Sequence, residues 1–149
     1  MRLQSIGRRA RGFTLIEMMI ATSVSGVLAS VAYPSFTGCL HKVHRTEALV
    51  ALIQVQHAEE RWRSNSVAYG TLAQVGVSAT APGGRYALSV SAPSASGYEA
   101  VAVATGSQAG DRPCRYMSVR VDGGNATYLS GETAALGNVT QVNRQCWNQ

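Results

Sequence analysis

Between Phe13 and Leu40 the chain carries a single charge, Glu17. A helix that crosses the hydrocarbon core of a bilayer needs about 20 apolar residues, each rising roughly 1.5 Å. This run reaches that length even if its last residues lie outside. A secretory signal has a shorter apolar core and a small-x-small cleavage site after it. Here the candidate processing point, in "RRARGFTLIEMM", precedes the run, so the apolar helix stays in the mature chain. The basic flank GRRARG predicts a cytoplasmic N-terminus, with everything beyond about residue 40 outside the cytoplasm. His41, Lys42, His44 and Arg45 follow the span and compete with that orientation, but the N-terminal flank is denser and comes first.

A chain of 149 residues makes one domain plus appendages. The net charge of +5 would suggest a polyanionic partner if it were spread over the fold. It is not. Arg2, Arg8, Arg9 and Arg11 precede Phe13 without any acid, and the rest of the chain has nine basic residues against eight acidic ones. The excess basicity belongs to the leader.

Glu17 is the anomaly. A carboxylate inside a lipid-facing helix costs about 2.5–3.5 kcal/mol on insertion scales. One reading is that Glu17 lies near the interface and snorkels. The other is that it meets a positive charge when the helix leaves lipid. A cut after Gly12 would give Phe13 a new α-amino group, and Glu17 of a neighbouring copy would neutralise it in a low-dielectric bundle.

"RGFTLIEMMI" resembles the class III signal of type IV pilins and pseudopilins: a short basic leader, then Gly12, Phe13 and Glu17 as the last leader, first mature and fifth mature positions. The resemblance implies cleavage between Gly12 and Phe13 by a membrane prepilin peptidase, and N-methylation of Phe13 by the same enzyme. Gly12 has no side chain, which lets a protease approach the backbone closely. Glu17 would set axial register between subunits, since a wrong register buries an unpaired charge. Ala21, Ser25 and Ala29 lie along one helix face and permit close helix approach; chance in an Ala/Ser-rich chain explains the stripe equally well. Pro34, in "AYPSF", removes one helix hydrogen bond and should bend the helix there. "YP" also matches the pilin pattern, and in that family this region bends or melts as the fibre assembles.

Helical periodicity continues past the span. Ala48, Ala51, Leu52, Val55, Ala58 and Trp62 form one apolar stripe. Glu59 and Arg63 read as an i, i+4 pair on a more polar flank. "RSNS" ends the pattern near residue 65. His41 and His44 with Cys39 nearby could be read as metal ligands, but no further ligand stands at matching spacing, so a solvated helix surface is the expectation and no cofactor is implied.

Residues 65 to 85 read as an irregular connection with a short helical turn near Leu72 to Val75. Strands follow. "RYALSVSA" puts Tyr86, Leu88 and Val90 on one face, "YEAVAVAT" puts Val101 and Val103 on one face, and "CRYMSVRV" does the same for Met117, Val119 and Val121. "DGGN" is a hairpin turn and "ATYLS" the returning strand. The expected fold is α+β: a long N-terminal helix, transmembrane then amphipathic, packed on a small antiparallel sheet of three or four strands.

Three cysteines allow three pairings. Cys114 and Cys146 bracket the last strands and the tail, and an exported chain meets an oxidising compartment. Pilins carry a C-terminal disulfide loop in this position, so the resemblance favours Cys114–Cys146 and leaves Cys39 as a buried free thiol. The partition is then a leader at 1–12, a span or fibre-core helix at 13–40, and a head outside the cytoplasm at 41–149.

"YALSVSA", "GYEAVAVATGSQAGDRPC" and the closing "CW" resemble the small PilE-like minor pilins, which include the ComP-like DNA-uptake pilins. The implied function is a structural minor subunit of a type IV pilus, serving assembly, twitching motility, adhesion or DNA uptake. The implied partners are major and minor pilin subunits, the prepilin peptidase, the inner membrane and the assembly machinery. The implied location is the inner membrane, single-pass, then the extracellular pilus. DNA is a second candidate partner: Arg112, Arg115, Arg120 and Arg144, drawn together near the cysteine pair, would make a phosphate-binding patch, against the plain reading of four solvated arginines. A type II secretion pseudopilin shares the N-terminal signal, but the cysteine loop and the absence of a dense acidic cluster after residue 100 argue against it. An enzyme fits least, because no spacing resembles a nucleophile elbow, a zinc motif or a phosphate loop.

Overall fold

The computed structural model describes residues 12–149; the leader arginines Arg2, Arg8, Arg9 and Arg11 lie outside the described residues. One helix, α1, spans Leu15–Arg63. The chain divides into two compact units, the first ending at Thr37 and the second running Gly38–Gln149.

In the first unit, α1 begins with a reciprocal cap. Thr14 donates from its backbone N–H and its hydroxyl to Glu17 Oε2, both at 2.8 Å, and the Glu17 N–H returns a bond to Thr14 Oγ1 at 3.3 Å. Two of the N–H groups that every helix start leaves open are thereby satisfied. Phe13 (84% exposed), Leu15, Ile16, Val27, Val31 and Phe36 face outward. The helix is long and apolar enough to cross a membrane. Its hydroxyls do not interrupt that surface. Thr22 donates to Met18 and Met19 carbonyls, Ser23 to Met19, Ser25 to Ala21, and Ser30 to Val27, at 2.7–3.0 Å. Each of these four hydroxyls is satisfied by its own helix, as an apolar medium requires. The helix runs through position 34 without a break.

In the second unit, the continuing helix buries Ala48, Ala51, Leu52, Val55 and Ala58, with Trp62 half-buried. A one-turn helix, α2 (Leu72–Val75), is closed by a capping box between Thr71 and Gln74. Strands β1 (Tyr86–Ser91), β2 (Gly97–Ala104), β3 (Tyr116–Asp122) and β4 (Asn125–Gly131) form an antiparallel meander in the order β1-β2-β3-β4. The β3–β4 turn is Gly123-Gly124 at φ 54° and 82°, the geometry of a two-residue hairpin loop. Helix α3 (Thr140–Cys146) closes the fold.

The sheet face in the core is lined largely by small residues. β2 contributes Tyr98 and then Ala100, Ala102 and Ala104, which share one cluster with Ala48 and Ala51 of α1. The larger Val101 and Val103 lie on the opposite face, half-buried, and line a cavity of about 310 Å³ with Ser89, Glu99, Tyr116, Ala134 and Leu136. At Gly97 a Cβ would strike the Val121 carbonyl, so the β2–β3 pairing there needs glycine.

Cys114 and Cys146 are disulfide-bonded across 32 residues. Closing a loop of that length stabilises the fold by about 3–4 kcal/mol in the chain-entropy model. Cys39 is free, but it is exposed rather than buried, because no head element covers that part of the helix. Glu59 also departs from expectation. It is fully buried, and its Oε2 accepts the Gly70 N–H at 2.8 Å. Arg63 donates instead to the Ser66 and Ala95 carbonyls, so the expected Glu59–Arg63 pair is not made.

Candidate functional site

Two regions carry the residues singled out from the sequence. The first is the start of α1. A Cβ placed at Gly12 would meet nothing within 4 Å, so the fold itself does not demand glycine there. Glu17 takes both Thr14 bonds on Oε2 and is exposed. The "TLIE" spacing that makes this cap was readable as a capping box, a signal that sits on top of the acid's anomaly in the apolar run.

The second region is the head surface around the 3₁₀ turns Gly106–Gly110 and Arg112–Cys114. At its centre is Gln108, fully buried. Its Oε1 accepts from Nδ1 of His41 at 3.2 Å and of His44 at 3.1 Å. Its Nε2 donates toward the His41 carbonyl, the Tyr86 hydroxyl and Asp111 Oδ2 at 3.0–3.2 Å. Asp111 in turn receives Arg45 through two bonds, Nε at 2.7 Å and Nη2 at 2.8 Å. Burial pushes the Tyr86 phenol up to about 12, against the opposing pull of the Gln108 bond. The Asp111 hydrogen bond holds the Arg45 guanidinium above its ordinary value. His41 and His44 are therefore half-buried members of a clasp between α1 and this turn, not a solvated surface as expected. Among the described residues no group of three or more His, Cys, Asp or Glu side chains gathers as a metal site. A lone glutamine in "TGSQAG" gives no sequence signal for this role.

The four arginines go to different places. Arg112 pairs with Glu132 at 2.7 Å on exposed surface, and Arg120 with the half-buried Glu99 at 3.1 Å. Arg115 donates to the Ala109 carbonyl at 2.9 Å. Arg144 lines a groove of about 510 Å³ with Lys42, Arg45, Gln145, Asn148 and Gln149. The sequence reading missed Lys42 as a neighbour of Arg144, since about a hundred residues separate them.

Comparison with known proteins agrees with this architecture. Residues 7–33 match the family model described as a prokaryotic N-terminal methylation motif. Residues 34–118, more than half the chain, match the family model described as "Type IV minor pilin ComP, DNA uptake sequence receptor". The chain belongs to this family of type IV minor pilins. It is 35% identical over 92 residues to the type IV major pilin protein PilA of Myxococcus xanthus, covering 62% of this chain and 42% of that protein. It is 32% identical over 68 residues to the type II secretion system core protein G of Pectobacterium carotovorum, covering 46% and 44%. The corresponding protein of Klebsiella pneumoniae is 35% identical over 67 residues, covering 45% and 48%. The matches thus span less than half the length of these relatives.

Proposed function

We propose that this chain is the precursor of a structural minor subunit of a type IV pilus. Residues 1–12 are a leader removed by prepilin peptidase, 13–40 a membrane span that becomes fibre core, and 41–149 a head outside the cytoplasm. Phe13 becomes the N-methylated first residue, and Pro34 supplies a weak point in the helix during assembly. The chain's partners are other pilin subunits.

One observation carries the reading. In the apolar part of α1 the hydroxyls of Thr22, Ser23, Ser25 and Ser30 are satisfied by their own helix, and Glu17 is the single charge between Phe13 and Leu40. Such a helix passes from lipid to a protein bundle at little polar cost, provided the carboxylate finds a cation. The bonds from Thr14 fall on Oε2, which leaves Oε1 for the α-amino group of a neighbouring Phe13. Glu17→Ala should still insert in the membrane but be depleted from sheared surface pili. Equal amounts of mutant and native subunit in those pili would contradict the role of Glu17. Recovery of the native chain only with a secretion complex would contradict the pilus.

DNA binding by the head is the second reading, and the description of the matching family favours it. The Arg112–Glu132 ion pair is exposed, and exposed pairs are worth about 0–1 kcal/mol, so a phosphate can displace that acid. Full-length protein in detergent should retard duplex DNA in a gel, less so at higher salt. No retardation at low salt would remove this reading.

A further inference from the structure

We propose that the groove walled by Lys42 and Arg144 holds the phosphodiester headgroup of an anionic phospholipid while the subunit is anchored in the membrane. The inference goes beyond pilus assembly and rests on reading residues 13–40 as the span.

Charge is the first argument. Arg45, Arg85, Arg112 and Arg120 each have a carboxylate partner. Lys42 and Arg144 have none among the described residues, yet they line one concave surface. Arg45, the third cation of the groove, is held by Asp111 and by the Gln145 carbonyl at 3.2 Å. It forms wall and does not compete for a ligand. Two free cations lining one small space are destabilised by each other and stabilised by an anion.

Position is the second. The apolar run ends at Leu40, and Lys42 stands two residues further along the same helix. At roughly 1.5 Å per residue that is about 3 Å of axial rise. The polar interface on each side of the hydrocarbon core is about 5–7 Å thick. Lys42 therefore falls at headgroup depth when Leu40 marks the end of the core.

Size and chemistry are the third. A concave volume of about 510 Å³ suits a small phosphate group with its glycerol. The side-chain amides of Gln145, Asn148 and Gln149 offer N–H donors to phosphate oxygens and acceptors to glycerol hydroxyls. A zwitterionic headgroup would bring its own ammonium against Lys42 and Arg144, so the site selects phosphatidylglycerol-type lipids over phosphatidylcholine.

The test uses full-length protein in detergent micelles, with phosphatidylglycerol or phosphatidylcholine added and retained lipid read by native mass spectrometry. Wild type should retain phosphatidylglycerol in preference. Lys42→Gln and Arg144→Gln should each lower that retention about fivefold, and the pair about 25-fold. Lys42→Arg should restore it. Both side chains are exposed and unpaired, so neither change should disturb the fold. Equal retention of the two lipids, or a double variant indistinguishable from wild type, would overturn the proposal. So would a double variant that keeps phosphatidylglycerol but loses retardation of duplex DNA, which would assign the groove to nucleic acid. Alkaline extraction of wild-type membranes checks the span separately: release of the protein would overturn the anchor and the lipid site together.

Discussion

Glu59 shows how residue type and residue position can point in opposite directions. Its position is that of the buried stripe, four residues after Val55, while its charge suggested the polar flank. Position prevailed, because the Gly70 N–H offered it a partner inside the head. The other oxygen, Oε1, is buried without a hydrogen bond, as is the Tyr98 hydroxyl. Burial raises the Glu59 carboxyl above its ordinary value; the Gly70 bond opposes this and the Glu60 charge adds to it. Tyr98 feels the same charges and is raised chiefly by burial. A carboxyl raised in the folded state contributes stability that is full below the unfolded value near 4.5 and is lost as pH rises through the native one. Glu59→Gln keeps the acceptor for Gly70 and cannot ionise. Thermal melts should therefore show the variant gaining on wild type between pH 4 and pH 8. A difference that is the same at both pH values would contradict the assignment.

At the scale of elements, what could be read locally was read well. The stripe from Ala48 to Trp62, the turn at Leu72–Val75, the strand faces of Tyr86–Val90 and Met117–Val121, and the Gly123-Gly124 hairpin all follow from period and turn chemistry. What came from far along the chain was not legible. His41 and His44 continue the same helix face backwards from Ala48, but their cover, Gln108, arrives more than 60 residues later. The separation of Arg112 and Arg120 has the same cause: Glu132 and Glu99 reach them only through the fold of the sheet. β2 carries its alanines inward into the core that holds Ala48 and Ala51, with Ala100 and Ala102 fully buried. Ala102→Leu should cost about 1–3 kcal/mol by overpacking, read as a lower denaturant midpoint. An unchanged midpoint would mean that the helix does not seat on that face.

At the scale of the whole molecule, the charge and the apolar surface tell one story. Residues 1–12 hold four of the thirteen basic residues, and their removal would leave a nearly balanced chain whose first residues are apolar. The large apolar side chains of this stretch, among them Phe13, Leu15, Ile16, Val27, Val31 and Phe36, are exposed in the single chain and need lipid or other copies to cover them. Both conditions depend on where the mature protein starts. The most direct measurement is the intact mass and N-terminal sequence of the subunit recovered from sheared surface filaments. The expected result is a chain beginning at N-methylated Phe13. A subunit beginning at Met1, or at any residue other than Phe13, would contradict it.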